Sequence, residues 1–215
     1  MADSLITLSD PRSPASEAYR TLRANLLQLS PQKPVSAFVV SAAAQADGKS
    51  SAAANLAVTI AQAGHKTVLV DADLRKPEQH SVWGVPNTGG LAAMFTDDAL
   101  LANPPLTATR VENLSVLVAG TTTGSPSDLL ASPRFGDIVG VLKARAHFIV
   151  FDAPPVLAVS DSVVLGGRVD GVVLVVRAGS TRRDHLQRAR EALERANVRV
   201  LGAALTNAPR ERVRY

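Results

Sequence analysis

Short apolar runs alternate with amphipathic stretches along most of the chain. From Val35 onward the pattern predicts strands over AFVVSA (37–42), TVLVDAD (67–73), LSVLVAG (114–120), HFIVFD (147–152), GVVLVVRAG (171–179) and VRVLGAALT (198–206). These runs are apolar at nearly every position, as strands are when both faces of their sheet are covered. Helices are expected between them. KSSAAANLAVTIAQAG (49–64) closes on Gly64, a short helix falls in 88–95, 125–146 is helical with a break near Pro133, and 181–197 is amphipathic. Strand and helix in alternation imply an α/β fold, a three-layer, doubly wound, mostly parallel sheet.

Before this region, residues 1–13 read as an irregular lead-in. Residues 14–29 read as a helix with Ala18, Leu22, Leu26 and Leu27 at helical spacing, capped by Ser13 or Ser16 and ended by Pro31 and Pro34. No repeat, low-complexity tract or dividing linker interrupts the chain. The expected organisation is a single domain over 1–215, with an arm and helix (1–34), a core (35–207) and a basic tail (208–215).

Composition narrows the function classes. At 46% hydrophobic over 215 residues the chain can bury a sizeable core, and with 4% aromatics that core is mainly Ala, Val and Leu. The absence of cysteine excludes a disulfide scaffold, a thiolate metal site and a cysteine nucleophile. A net charge of +4, without a zinc-finger, RNA-recognition or aromatic-plus-basic pattern, reads as a solvated face and not a nucleic-acid surface. No run approaches the ~20 apolar residues of a membrane span. MADSLITLSDPRS lacks the build of a secretory signal, so the expected location is cytoplasmic.

Candidate chemistry begins after the first core strand. Gly48, Lys49 and Ser50 form the second half of the pattern G-x-x-x-x-G-K-[ST], between a strand and a helix. Loop N–H groups and the helix N-terminus attract phosphate, Lys49 adds a mobile charge and Ser50 offers a hydroxyl to a metal. The pattern's first glycine falls on Ala43, a mismatch offset by the strand–loop–helix context. Ala44, Gln45, Ala46, Asp47, Gly48, Lys49, Ser50 and Ser51 are the expected nucleotide-binding loop. Asp71 and Asp73, two apart at a strand end, are expected to project together at the carboxyl edge of the sheet, where α/β folds bind ligands. Asp152 ends FIVFD in the same way. With the loop, these acids point to a nucleoside triphosphate and Mg2+, the metal held by Ser50, Asp73 and Asp152, in part through water.

On these residues the sequence resembles the cytoplasmic P-loop ATPase domain of bacterial tyrosine kinases, the autokinases of capsule and exopolysaccharide assembly. The resemblance runs from about Ser13 to Asn207. It is carried by SPASEAYRTLRANL, with Glu17, Arg20 and Arg23 in an E-x-x-R-x-x-R motif, and by AAAQADGKSSAAANLA, a loop that in this family also lacks the first glycine. VLVDADLRKP and FIVFDAPPVLAVSD carry it further, the latter with the later acid Asp161; PSDLLAS and NTGGLAAMF match less specific stretches. It implies ATP and Mg2+ as cofactors, with Lys49 on the β/γ-phosphates and Asp73 and Asp152 ordering the metal. Asp71 would orient or deprotonate the attacking hydroxyl, and Asn207 would lie near adenine. Arg75 and Lys76 are read either as charge-stabilising groups or as a surface turn. It also implies ring assembly through Glu17, Arg20 and Arg23, a membrane-anchored polysaccharide co-polymerase as activating partner, and autophosphorylation in trans.

The chain departs from the family in its tail. Family members usually end in a tyrosine-rich segment, whereas this chain has only Tyr19, inside the helix motif, and Tyr215, its last residue. Tyr215 is therefore the expected phosphorylation site. Two other readings stay open: an ATP-binding, ring-forming regulator without kinase activity, and a partition or cell-division ATPase. Ala44 argues against the latter, because it stands where that class carries a signature lysine.

Overall fold

The computed structural model describes residues 5–29, 32, 34–45 and 47–208. Helices α1 (Ile6–Ser9) and α2 (Pro14–Leu27) precede β1 (Ala37–Ala42) and α3 (Lys49–Gln62). Next come β2 (Thr67–Asp71), short helices α4 (Gln79–Trp83), α5 (Gly90–Met94) and α6 (Asp98–Ala102), and strands β3 (Thr107–Ala108) and β4 (Leu114–Leu117). The chain continues through α7 (Pro126–Ala131), α8 (Pro133–Lys143), β5 (Phe148–Asp152), α9 (Asp161–Gly166), β6 (Val172–Arg177), α10 (Arg183–Arg195) and β7 (Val200–Thr206).

The strands form one sheet in the order β3-β4-β2-β5-β1-β6-β7, parallel except for the β3–β4 pair. The apolar runs divide their side chains by parity between two cores. On β1, Ala37 and Val39 face the layer of Phe135, Ile138 and Leu142 from α8 and Ala189 and Leu193 from α10. Phe38, Val40 and Ala42 face the other layer, built from α3 with Leu26 of α2. The central runs β1, β2 and β5 are apolar nearly throughout because a helical layer covers each side, whereas edge strand β7 is partly exposed, Leu205 among its exposed residues. Asp170 joins β1 to β6 at their starts, its Oδ2 accepting the N–H groups of Ser36 (2.7 Å) and Ala37 (2.8 Å).

Several boundaries differ from the sequence reading. The strand expected over 67–73 ends at Asp71, where the Asp71 side chain draws in backbone N–H groups of the following loop. Helices α1, α4, α6 and α9 have four to six residues each, too few to show a helical period. The lead-in thus contains helix α1, pinned to α3 by Thr7, whose N–H and hydroxyl both donate to Asn55 Oδ1 (3.0 and 2.8 Å). The break near Pro133 is present, with α8 starting at that proline. Ser13 is the cap of α2, accepting from the Ser16 N–H at 3.2 Å.

At the carboxyl edge the turn before α5 lies against the segment after β4. Asn87 clamps Gly120, accepting its N–H at 2.9 Å. Gly120 has φ +75°, and a Cβ there would fall 1.6 Å from the Gly89 carbonyl oxygen. Gly120→Ala is expected to destabilise the protein by at least about 3 kcal/mol, combining backbone strain with overlap. Gly124→Ala, at φ +117° with open space around it, should lose about 1 kcal/mol. Urea unfolding midpoints measure both.

Candidate functional site

Strand order brings the chemistry-bearing segments together. β5 lies between β1 and β2, so Asp152 is flanked by the loop after β1 on one side and by Asp71 on the other. Asp71 and Asp152 are register partners at the ends of their strands. Gly48 precedes α3 in the left-handed region, φ +81°, a conformation that glycine adopts without a Cβ penalty. Lys49 and Ser50 then open the helix.

Lys49 reaches across the edge into the acids. Its Nζ lies 2.9 Å from Asp73 Oδ2, 3.4 Å from Asp152 Oδ1 and 3.2 Å from Ser50 Oγ. Burial disfavours its charge, but Asp152 and Asp73 outweigh that, and its pKa rises. Asp152 is fully buried. Burial raises its pKa against the opposing pull of Lys49 and of the Gln79 and Ser50 hydrogen bonds. Asp71 is also fully buried and is pushed well above the usual carboxylate range, first by burial and then by Asp152.

Asp71 and Asp73 do not share a strand face as the period-two argument expects, because Asp73 lies beyond the strand end. The loop joins them instead, with the Asp73 N–H donating to Asp71 Oδ1 at 3.3 Å. Asp71 Oδ2 also accepts the N–H groups of Glu78 (3.0 Å) and Gln79 (2.8 Å). Asp73 Oδ1 accepts the Lys76 N–H at 3.0 Å, while the residue Lys76 itself is exposed.

The sequence reading missed Gln79, which is fully buried between α3 and β5. Its Nε2 donates to Asp152 Oδ2 (2.8 Å) and to the Ser50 carbonyl (3.0 Å). A polar residue in a loop pattern gives no advance sign of such burial. Arg75 is not a free surface turn. Its Nε and Nη2 bond both oxygens of the buried Asp161 (2.9 and 3.2 Å), and Nη2 reaches Ser127 Oγ (2.9 Å). Burial and bidentate geometry set this pair apart from an exposed ion pair. The RKP turn is thereby tied to α7 and α9.

The other expected residues are placed as follows. In the loop, Asp47 is buried, with no partner for Oδ2 among the described residues. Ala44 is half-buried; Gln45 and Ser51 are exposed. Ala46 and Tyr215 lie outside the described residues. Asn207 follows β7 with φ +53° and donates to the Ala178 carbonyl at 3.4 Å. Its neighbour Thr206 donates to the Asp47 carbonyl at 3.4 Å, which sets this strand end beside the loop. On α2, Glu17 pairs with Arg20 at 2.8 Å. Arg23 turns inward and donates to the Thr59 carbonyl of α3 at 2.8 Å. Residues three apart fall about 60° short of a full turn, so three of them span about 120° and not one narrow face. The expected apolar stripe is shifted too: Ala18 and Leu27 are exposed, and Tyr19, Leu22 and Leu26 face the core.

Ser50, Asp73 and Asp152 supply the hard oxygen donors that suit Mg2+. Mg2+ keeps several waters and needs no cage of three protein acids, and none is present among the described residues. The ammonium of Lys49 between Asp73 and Asp152 marks this pair as a place for positive charge.

No protein-family model matches the chain. It is 38% identical over 199 residues to the putative tyrosine-protein kinase CapB of Staphylococcus aureus, covering 93% of this chain and 87% of that protein. It is 36% identical over 205 residues to the tyrosine-protein kinase YwqD of Bacillus subtilis strain 168, covering 95% and 86%. The chain belongs to the bacterial tyrosine-protein kinases. Among solved structures, the chimerical protein CapA2B2 superposes with a TM-score of 0.91 at 35% identity, covering 97% of this chain and 91% of that one. The septum site-determining protein MinD of Pyrococcus horikoshii OT3, solved in complex with Mg-ADP, shares the fold alone: TM-score 0.63, 21% identity, 80% and 70% coverage. The three-layer, mostly parallel fold is thus common to these kinases and to MinD.

The cluster of Asp71, Asp152 and Lys49 gives the stability of the protein a definite pH dependence. Asp71 and Asp152 bind protons more tightly folded than unfolded. Their contribution therefore falls as pH rises from about 4, the unfolded value, through the raised folded values. The raised pKa of Lys49 acts the other way: its stabilisation is full below about 10.4 and is lost above. Lys49→Met should therefore destabilise the nucleotide-free protein by about 3 kcal/mol at pH 7, since it strands buried carboxylates. Chemical denaturation should show that deficit shrinking as pH is lowered toward 4, and Asp73→Asn in the same chain recovering part of it.

Proposed function

We propose that this chain is an ATP- and Mg2+-dependent protein-tyrosine autokinase that regulates capsule or exopolysaccharide polymerisation and export. The observation that carries this reading is the Lys49 ammonium bridging Asp73 and Asp152 at the start of the phosphate-loop helix, in a chain of this kinase family.

The mechanism follows from the positions of the side chains. Ser50, Asp73 and Asp152 would hold Mg2+, which would supply charge neutralisation for phosphoryl transfer. Lys49 exchanges its carboxylate partners for phosphate oxygens as nucleotide enters. The loop from Ala44 to Ser51 cradles the phosphates, and Asn207 borders the base. Asp71 receives the proton of the attacking tyrosine hydroxyl; its burial and the adjacent Asp152 raise its basicity. Three backbone N–H groups hold its carboxylate in place. The Arg75–Asp161–Ser127 cluster fixes the loop that carries Asp73.

Self-assembly into a ring uses Glu17, Arg20 and Arg23, and a membrane-anchored co-polymerase recruits the cytoplasmic chain to the inner face of the membrane. Among the described residues no helix is long and apolar enough to cross a membrane. Tyr215 is the substrate tyrosine, and Arg210, Arg212 and Arg214 draw it toward the acidic site of a neighbour.

Mass spectrometry after incubation with ATP and Mg2+ should find phosphate on Tyr215 and none in Tyr215→Phe. ATP hydrolysis without phosphotyrosine in either protein would replace the kinase reading with that of a regulator. Light scattering tests assembly. Glu17→Ala with Arg20→Ala should lower the mass and leave stability within about 0.5 kcal/mol, as for exposed pairs. Arg23→Ala should also cost about 1 kcal/mol through its lost bond to α3.

A further inference from the structure

We propose that Gln79 is a positioning residue of the phosphoryl-transfer site: its carboxamide fixes which oxygen of Asp152 is left on the Lys49 side to serve a bound metal, and Trp83 fixes which way that carboxamide points. The inference rests on the kinase reading above and deepens it.

Donor and acceptor chemistry allows a single arrangement. Trp83 Nε1–H, which can only donate, donates a hydrogen bond to Gln79 Oε1 at 3.2 Å. Gln79 Nε2 then faces two groups that only accept, Asp152 Oδ2 at 2.8 Å and the Ser50 carbonyl at 3.0 Å. Flipping the amide would set its oxygen against both acceptors and its NH2 against the indole N–H. The indole thus removes the two-fold ambiguity of the amide, and the amide removes that of the carboxylate. Asp152 Oδ2 is committed to Gln79, and Oδ1 remains on the Lys49 side.

The residue acts on three parts of the site at once. Its side chain ties Asp152 to the first turn of α3, and its own N–H donates to Asp71 Oδ2 at 2.8 Å. Gln79 and Trp83 stand four apart on α4, the spacing that lets their side chains meet. The Gln79 carboxamide is committed to Asp152, the Ser50 carbonyl and Trp83, so it acts on the site through those groups.

The test compares wild type, Gln79→Met and Trp83→Phe. Gln79→Met keeps length and loses the amide; Trp83→Phe keeps an aromatic ring and loses the indole donor. In Gln79→Met, kcat should fall about 10–100-fold, and the Mg2+ concentration giving half-maximal ADP binding by calorimetry should rise about tenfold. The KM for ATP at saturating Mg2+ should stay within about threefold, since phosphate contacts are intact. Trp83→Phe should move kcat and the Mg2+ requirement the same way by about threefold, because the amide keeps two of its three bonds. Trp83 is the sole tryptophan. Its emission should change when Mg2+ and ADP bind to wild type, and should not change in Gln79→Met although ADP still binds.

Unchanged kcat and Mg2+ dependence in Gln79→Met would overturn the proposal. So would a kcat loss with the Mg2+ requirement unmoved, which is the mark of mere structural damage. If Gln79→Met does not fold, Trp83→Phe decides by the same criterion. A wild type that binds no ADP in Mg2+ would overturn the underlying kinase reading; a fully active wild type matched by both variants overturns only the role of Gln79.

Discussion

Three carboxylates converge at the carboxyl edge of the sheet, and Lys49 is the ammonium in contact with two of them. Asp71 and Asp152 are forced side by side by strand register, and Asp73 is folded back by the loop that Asp71 itself organises. This concentration of charge is tolerable because each oxygen has a donor: backbone N–H groups on Asp71, the Gln79 amide and Lys49 on Asp152, Lys49 and the Lys76 N–H on Asp73. It is an uneasy arrangement even so, because burial and the neighbouring carboxylates disfavour the charge of Asp71 and Asp152 and push their pKa values up. A site that resists its own ionisation is one that gains from positive charge, and such trading of stability for activity is general in enzymes.

The rest of the architecture serves that edge. The two cores sort alternate strand residues to opposite helical layers and hold the central strands in register. The Arg75–Asp161–Ser127 cluster and the Asn87–Gly120 clamp fix the loops around the strand ends with side-chain bonds to groups that are wholly or partly buried. Helix α2 presents Glu17 and Arg20 outward and spends Arg23 on its own neighbour. A motif that looks uniform in sequence is therefore divided between an outward ion pair and an inward packing contact.

Much of this was legible beforehand. The layered fold follows from uniformly apolar strands between helices, and the loop and acids follow from GKS and from aspartates placed where strands end. The sequence reading failed where the deciding partner is distant. Asp71 and Asp73 were read as strand neighbours because the pattern shows alternation; it does not show that Asp71 captures N–H groups from residues 73, 78 and 79 and thereby ends the strand. Gln79 was invisible because nothing local marks a polar side chain that is satisfied by Ser50 and Asp152. The inward turn of Arg23 needed the position of α3. The helices of four to six residues were too short to leave a period.

Strand order has a consequence for how the protein is made. Lys49 is translated about a hundred residues before Asp152, yet β5 must insert between β1 and β2 to complete the pocket. A chain emerging from the ribosome therefore carries its phosphate loop long before it has a functional edge, and the closing strand brings its acid last among the three. Nucleotide cannot reward a half-made chain, since binding stabilises only a state in which the site exists. The meeting of Lys49 with its acids and the joining of β1 to β2 through β5 therefore arrive together, while β6 and β7 still follow in the chain.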